Sequence, residues 1–257
     1  MTVGPLGSSH DRDPGSAQLI GVGHKGADAL APGNTIESFS AAAALGVEMI
    51  EFDVLWLPDG DPKQPPADRS EMVIAHDYAD AARRTPLRLD EALAALAKPP
   101  LQALQFDLDI KLPGREEEIA AALRRHGLLD RATFSGAHLA TPPAFRAAEP
   151  SLRRGWTYPH VKRAWDQKRW AKSAVSLTLA LSRRRLPTIA RRRIREFDLW
   201  AIWVFHRMIS PALVAAVHTE GAKLFAWTVD DPAQIEALTA LGVDGIVSND
   251  PRLFGVG

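Results

Sequence analysis

Apolar residues recur along the chain in two rhythms. Short runs rich in Val, Ile, Phe and Trp at residues 18–23, 48–54, 104–110, 132–136, 153–157, 198–204, 223–229 and 244–249 read as eight strands. Between most of them the apolar positions fall three and four apart, as in TIESFSAAAALG, LRLDEALAALA, REEEIAAALRRHG, SPALVAAVHTEG and DPAQIEALTALG, which predicts amphipathic helices. Several of these helices end on Gly, and three open on Thr35, Ser210 or Asp231, where an N-cap oxygen belongs. Strand and helix in alternation predict a parallel sheet covered by helices, here an α/β fold of the TIM (β/α)8 barrel type.

Two intervals break the rhythm. LWLPDGDPKQPPADRSEMVIAHD, from the second strand to His76 and Asp77, carries Pro and Gly punctuation and no amphipathic helix. A hairpin-like insertion fits it better than another crossover, and it would return His76 to the carboxyl ends of the strands, where barrels of this kind place their chemistry. Residues 158–197 contain WDQKRW and two arginine clusters, at 183–185 and 191–195, and read as an extended helical crossover with a solvated basic face.

Composition narrows the function classes. At 257 residues and 46% hydrophobic content, the chain suits one barrel domain over 18–257. It would be preceded by a disordered tail, 1–17, rich in Gly, Pro and Ser. Thirty-one basic residues balance thirty-one acidic ones, so no long-range field recruits nucleic acid and an anionic ligand must be met by local charge. The absence of cysteine excludes disulfides and thiol catalysis. No apolar run approaches a membrane span and the first residues lack a signal-like apolar core, so a cytoplasmic protein without stable membrane insertion is expected.

The second strand carries Glu51 and Asp53 two residues apart, on one face. Two carboxylates on a strand face otherwise built for Val and Ile need a cation, either a hard divalent metal such as Mg²⁺ or Ca²⁺ or a neighbouring Lys or Arg. The third strand repeats the pattern with Asp107, Asp109 and Lys111. Spacing leaves open which aspartate reaches a metal; Asp109 lies nearer the carboxyl end and is favoured on that ground. His24 and His76 each stand where an apolar run gives way to a polar turn, and with ordinary pKa values near neutrality they can divide the roles of general base and general acid. The other six histidines are assigned structural roles.

Taken in order, HKG at 24–26, PGNT at 32–35, Glu51-x-Asp53, His76-Asp77, Asp109-x-Lys111, AWTVDD at 226–231 and GVDGIVSNDP at 242–251 resemble the glycerophosphodiester phosphodiesterase family, among the phosphatidylinositol-phospholipase-C-like phosphodiesterases. The resemblance covers roughly residues 19–254. It implies that Glu51, Asp53 and Asp109 hold the divalent metal, that His24 and His76 act as acid and base, that Lys25 and Lys111 meet phosphate oxygens, and that Trp227 lines the pocket against the alcohol portion of the substrate. The chain departs from the family pattern at Lys25 for arginine, Gly33 for glutamate, Asp109 for glutamate and Asn249 for aspartate. Lys25 keeps the charge but loses the planar fork that grips phosphate bidentately.

The expected reaction is metal-dependent hydrolysis of a small-molecule phosphodiester to an alcohol and a phosphomonoester. One alternative is a lysophospholipase-D-like or sphingomyelinase-D-like enzyme of lipid metabolism acting on a lysolipid, which an exposed apolar rim would favour. The other is a non-catalytic phosphate-ligand-binding barrel.

Overall fold

The computed structural model of the chain describes residues 19–56, 71–160 and 172–255. The expected tail at 1–17, residues 57–70 of the expected insertion and WDQKRW lie outside these residues.

Eight parallel strands close into a barrel: β1 (Ile20–His24), β2 (Met49–Trp56), β5 (Gln105–Ile110), β6 (Ala132–Ser135), β7 (Arg153–Tyr158), β8 (Ala201–Phe205), β9 (Lys223–Trp227) and β10 (Gly245–Ser248). β1 pairs with both β10 and β2, which completes the ring. Helices α1 (Ile36–Ala44), α3 (Leu89–Leu96), α4 (Glu116–His126), α5 (Thr141–Ala148), α6 (Lys172–Phe197), α7 (Pro211–Thr219) and α8 (Pro232–Leu241) follow successive strands. No described helix is long and apolar enough to cross a membrane.

The insertion after the second strand is a hairpin. β3 (Met72–Ile74) runs antiparallel to β2 with Ile74 opposite Val54, and β4 (Leu87–Arg88) pairs with β3 after the short helix α2 (Tyr78–Arg83). The amide of Ala75 then donates to the carbonyl of Asp53 at 3.2 Å, which holds the chain leading to His76 at the carboxyl end of β2.

Strand alternation divides β2 between two environments. Ile50, Phe52 and Val54 join the outer core with Phe39 of α1, Leu93 of α3 and Ile119 and Leu123 of α4. Met49 points the other way and packs with Val22, Trp203, Phe225 and Val247 in the lumen, so Glu51 and Asp53, two and four residues on, also face inward. Trp203 and Phe225 stack at 4.8 Å between centroids and fill the interior below the carboxylates. Two strand glycines make room for them. A Cβ on Gly155 would lie 2.2 Å from the Trp203 ring, and one on Gly245 would lie 2.4 Å from the Phe225 ring.

The expected caps form. Thr35, Ser210 and Asp231 accept hydrogen bonds from the first turns of α1, α7 and α8, while Gly127 and Gly242 end α4 and α8 in the left-handed conformation. The second arginine cluster is held on the surface, with Arg191 and Arg195 both paired to Glu220 just after α7. Arg183, Arg184 and Arg185 are exposed.

Candidate active site

Adjacent strands in parallel register bring the acidic residues together. Asp53 stands opposite Asp109 and Glu51 opposite Asp107, and one carboxylate oxygen from each of Glu51, Asp53 and Asp109 lies within 4.8 Å of the other two. Glu51, Asp53 and Asp107 are buried. Oxygen donors this close, with more carboxylates than nearby cations, fit a hard divalent ion. Spacing leaves Asp107 and Asp109 open and their place along the strand favours Asp109; the fold separates them. Asp107 lies deeper, accepts the Ser135 hydroxyl at 2.8 Å and leaves its other oxygen without a hydrogen-bond partner among the described residues.

Lys111 is the cation in contact with this cluster. Its ammonium reaches Asp109 Oδ2 at 2.5 Å and also bridges to Asp53 Oδ1. The carboxylates and the lysine perturb one another. Burial opposes ionisation of Asp53, but the charge of Lys111, aided by His76 and His24, outweighs it and holds this carboxyl below the usual range. Burial also opposes the charge of Lys111, and the carboxylates of Asp109, Asp53 and Glu51 reverse that and raise it. Glu51 is pushed up by burial and then by Asp53, and Asp107 is pushed up chiefly by burial.

The loop after β1 wraps the rim of the cluster. Lys25 and Asn34 both adopt the left-handed conformation, with φ of 51° and 61°. In that arrangement the Lys25 amide donates to Glu51 Oε2 at 3.1 Å, while the side chain of Lys25 reaches Asp28 at 3.5 Å. Asn34 is a residue that the sequence reading passed over. Its amide nitrogen donates to Asp53 Oδ2 at 2.7 Å and its oxygen accepts from the Asp53 backbone at 3.1 Å. The PGNT turn was the available signal, since Asn tolerates the left-handed region better than most residues. Gly33 in the same turn has a structural reason: a Cβ there would meet Asp28 Oδ1 at 2.5 Å, and the Gly33 amide donates to that oxygen.

His24 closes β1 with Nε2 3.8 Å from Glu51 Oε2 and Nδ1 2.6 Å from Asn249 Oδ1. Burial, followed by the charge of Lys25, lowers its pKa. His76 is half exposed; its Nδ1 lies 3.1 Å from Asp77 Oδ2 and its amide donates to Asp80. Trp227 ends β9 with its ring 5.5 Å from Phe205, and its buried Nε1 has no partner among the described residues. The fold thus gathers Glu51, Asp53, Asp109, Lys111 and His24 directly, brings the charge of His76 to bear on Asp53, and sets Lys25 against Glu51 through its backbone.

A barrel with a carboxylate cluster, a lysine and histidines at the carboxyl ends of its strands has the kinds of group that charge stabilisation and proton transfer on an anionic substrate require. The model of the glycerophosphoryl diester phosphodiesterase family matches residues 24–63 and 88–253, well over half of the chain. The chain therefore belongs to that family and is an enzyme of the phosphodiesterase class. It is 23% identical over 266 residues to the glycerophosphodiester phosphodiesterase of Caldanaerobacter subterraneus subsp. tengcongensis, covering 90% of this chain and 94% of the relative. Among solved structures, a glycerophosphodiester phosphodiesterase from Parabacteroides distasonis superposes with a TM-score of 0.70 at 16% identity, over 94% of this chain and 97% of that one. An Oleispira antarctica phosphodiesterase, solved in complex with the product sn-glycerol-3-phosphate, superposes with a TM-score of 0.64 at 20% identity, over 91% and 94% of the two chains. At these identities the superpositions establish the shared barrel.

Proposed function

We propose that the protein hydrolyses a glycerophosphodiester to an alcohol and glycerol phosphate, with Glu51, Asp53 and Asp109 holding Mg²⁺ or Ca²⁺ and with His24 and His76 exchanging the protons. The observation that carries this reading is the convergence of those three carboxylates beside His24 at the mouth of the barrel. The Oleispira relative's bound product supports glycerol phosphate as the phosphomonoester.

When bound, the divalent ion supplies positive charge toward a non-bridging phosphate oxygen and lowers the cost of charge building on phosphorus. The chain's own groups do the rest. One histidine takes a proton from the attacking water as its oxygen bonds to phosphorus. The other histidine returns a proton to the alcohol oxygen as its bond to phosphorus breaks. Lys111, now paired with Asp53 and Asp109, would turn its ammonium to the substrate phosphate, and Lys25 would supply a second positive charge. Trp227 and Phe205 offer an aromatic wall for the alcohol portion.

Among the described residues Leu30 and Tyr78 are the exposed large hydrophobics. The test is turnover of glycerophosphocholine and of bis(p-nitrophenyl) phosphate with Mg²⁺, with Ca²⁺ and with EDTA. The expected result is activity with a metal and none after chelation. Binding of ligand with no metal-dependent turnover would instead establish a non-catalytic barrel. A cyclic phosphate accumulating in His76→Ala would assign the attack to a substrate hydroxyl in place of water.

A further inference from the structure

The hydrogen bonds around His24 have a direction that can be traced from outside the site. Asp230, in the loop between β9 and α8, is anchored by two donors to Oδ1, the Asn249 amide at 2.8 Å and the Ser248 hydroxyl at 2.9 Å. Its Oδ2 faces the side chain of Asn249, with Nδ2 at 2.6 Å. An ionised carboxylate only accepts, so the group that Asn249 turns to Asp230 must be its NH₂. The amide oxygen of Asn249 must then face His24, where it stands 2.6 Å from Nδ1. An amide oxygen also only accepts, so Nδ1 carries the hydrogen. The main chain of Asn249 is held in place as well, by the Ala29 amide donating to its backbone carbonyl at 2.9 Å.

We infer that Asp230 and Asn249 are positioning residues that hold His24 in its Nδ1–H tautomer, leaving the Nε2 lone pair directed toward the carboxylate centre. This rests on His24 taking part in proton transfer, as proposed above, and it assigns the role. With Nδ1 tied to Asn249, Nε2 is the nitrogen turned to the centre, and it takes the proton from the nucleophile. His76, beside the Asp77 carboxylate, is left to donate the proton to the leaving oxygen. Neither Asp230 nor Asn249 touches the reacting atoms. Their effect passes through which ring nitrogen of His24 is protonated.

The chain of polarity makes an unusual prediction for an isosteric change. In Asp230→Asn, Oδ1 still accepts from the Asn249 amide and Ser248, so the new NH₂ must occupy the place of Oδ2 and oppose the Asn249 NH₂. The conflict is relieved when Asn249 flips, and its NH₂ then faces His24 Nδ1, forcing the proton to Nε2. In a serine protease triad the corresponding loss of the correct tautomer costs about 10⁴-fold in kcat, and here we expect at least about a tenfold fall with KM within about twofold. Asp230→Ala merely frees Asn249 and should be milder than the isosteric change, an order that a structural role would reverse. Adding Asn249→Asp to Asp230→Asn restores the original polarity, since the new carboxylate accepts from both sides.

Histidine-labelled protein examined by proton–nitrogen correlation spectroscopy reads the tautomer directly, without activity, and steady-state kinetics on glycerophosphocholine read its consequence. The expected result is a Nδ1–H signature in wild type, a Nε2–H signature in Asp230→Asn, and recovery of both tautomer and kcat in the double variant. A Nδ1–H signature and undiminished kcat in Asp230→Asn would overturn the inference, as would a folded double variant that recovers neither. If His24→Gln keeps full activity while the tautomer responds as described, the proton-transfer role of His24 fails and the hydrogen-bond relay stands.

Discussion

Lys111→Met tests how the buried carboxylates are neutralised. In the fold the lysine ammonium spans Asp53 and Asp109, with Glu51 also near enough to raise its pKa, and its side chain is only 21% exposed. Methionine retains the length of the stem and removes the charge. Breaking a buried ion pair from one side costs about 3–5 kcal/mol, because the partner charge stays desolvated. For a chain of this size each kcal/mol moves the thermal midpoint by about 2–4 °C, so the metal-free variant should melt about 6–20 °C below wild type. Differential scanning calorimetry in EDTA measures this. Repeating the scan with saturating Mg²⁺ or Ca²⁺ should shrink the difference, since a ligand at a hundred times its Kd adds about 2.7 kcal/mol to the folded state. Metal titration by calorimetry should show binding at least as tight as in wild type, because the ammonium no longer competes for Asp53 and Asp109. Turnover should nevertheless fall, for want of the charge that meets the phosphate. An EDTA midpoint within about 2 °C of wild type, less than about 1 kcal/mol on the same conversion, would refute the role given to Lys111.

Three further changes probe the surroundings. Asn34→Ala strips Asp53 of a buried charged hydrogen bond at 2.7 Å and should cost about 1.5–3 kcal/mol in denaturant unfolding, with weaker metal binding because Asp53 is no longer oriented. Burial lowers the pKa of His206 from the ordinary 6.5, so the unfolded chain takes up this proton before the folded one does. Its contribution to stability is present above 6.5 and is lost as pH falls through the lower folded value, so the midpoint of wild type relative to His206→Gln should drop on acidification; a constant difference would contradict this. Gly155→Ala drives a methyl to 2.2 Å from Trp203 and 2.9 Å from the Phe134 carbonyl, and should destabilise by about 1–3 kcal/mol, seen as an earlier urea midpoint.

Much of this molecule was readable in advance because its signals are local. All eight barrel strands and five of the helices follow from runs and periods a few residues long, and the caps at Thr35, Ser210 and Asp231 from single side-chain oxygens. The departures have local causes too. TPPAFRAA is not among the helices the apolar periods predict, yet it forms α5, with both prolines in the first turn, where the missing amides cost nothing. The run at 198–204 begins late as a strand because Asp198 takes a left-handed φ of 51° and ties to Arg154 at 2.5 Å.

The sequence by itself determined the alternation of strand and helix, and it put Glu51 and Asp53 on one face, since a two-residue period does so in any strand. The lumen, the register and the partners across it were decided only by barrel closure. Whether Asp107 or Asp109 joins Glu51 and Asp53 depends on how far β5 slides along β2, and the observed register sets Asp109 beside Asp53 and Asp107 a layer below. Lys111 reaching across to Asp53, Asn34 clasping Asp53 and Asp230 setting the polarity of Asn249 and His24 are contacts between residues distant along the chain. No spacing encodes them. They exist because the sheet sets β2 between β1 and β5 and closes β1 against β10, and a buried charge there is stable only with the partners these pairings supply.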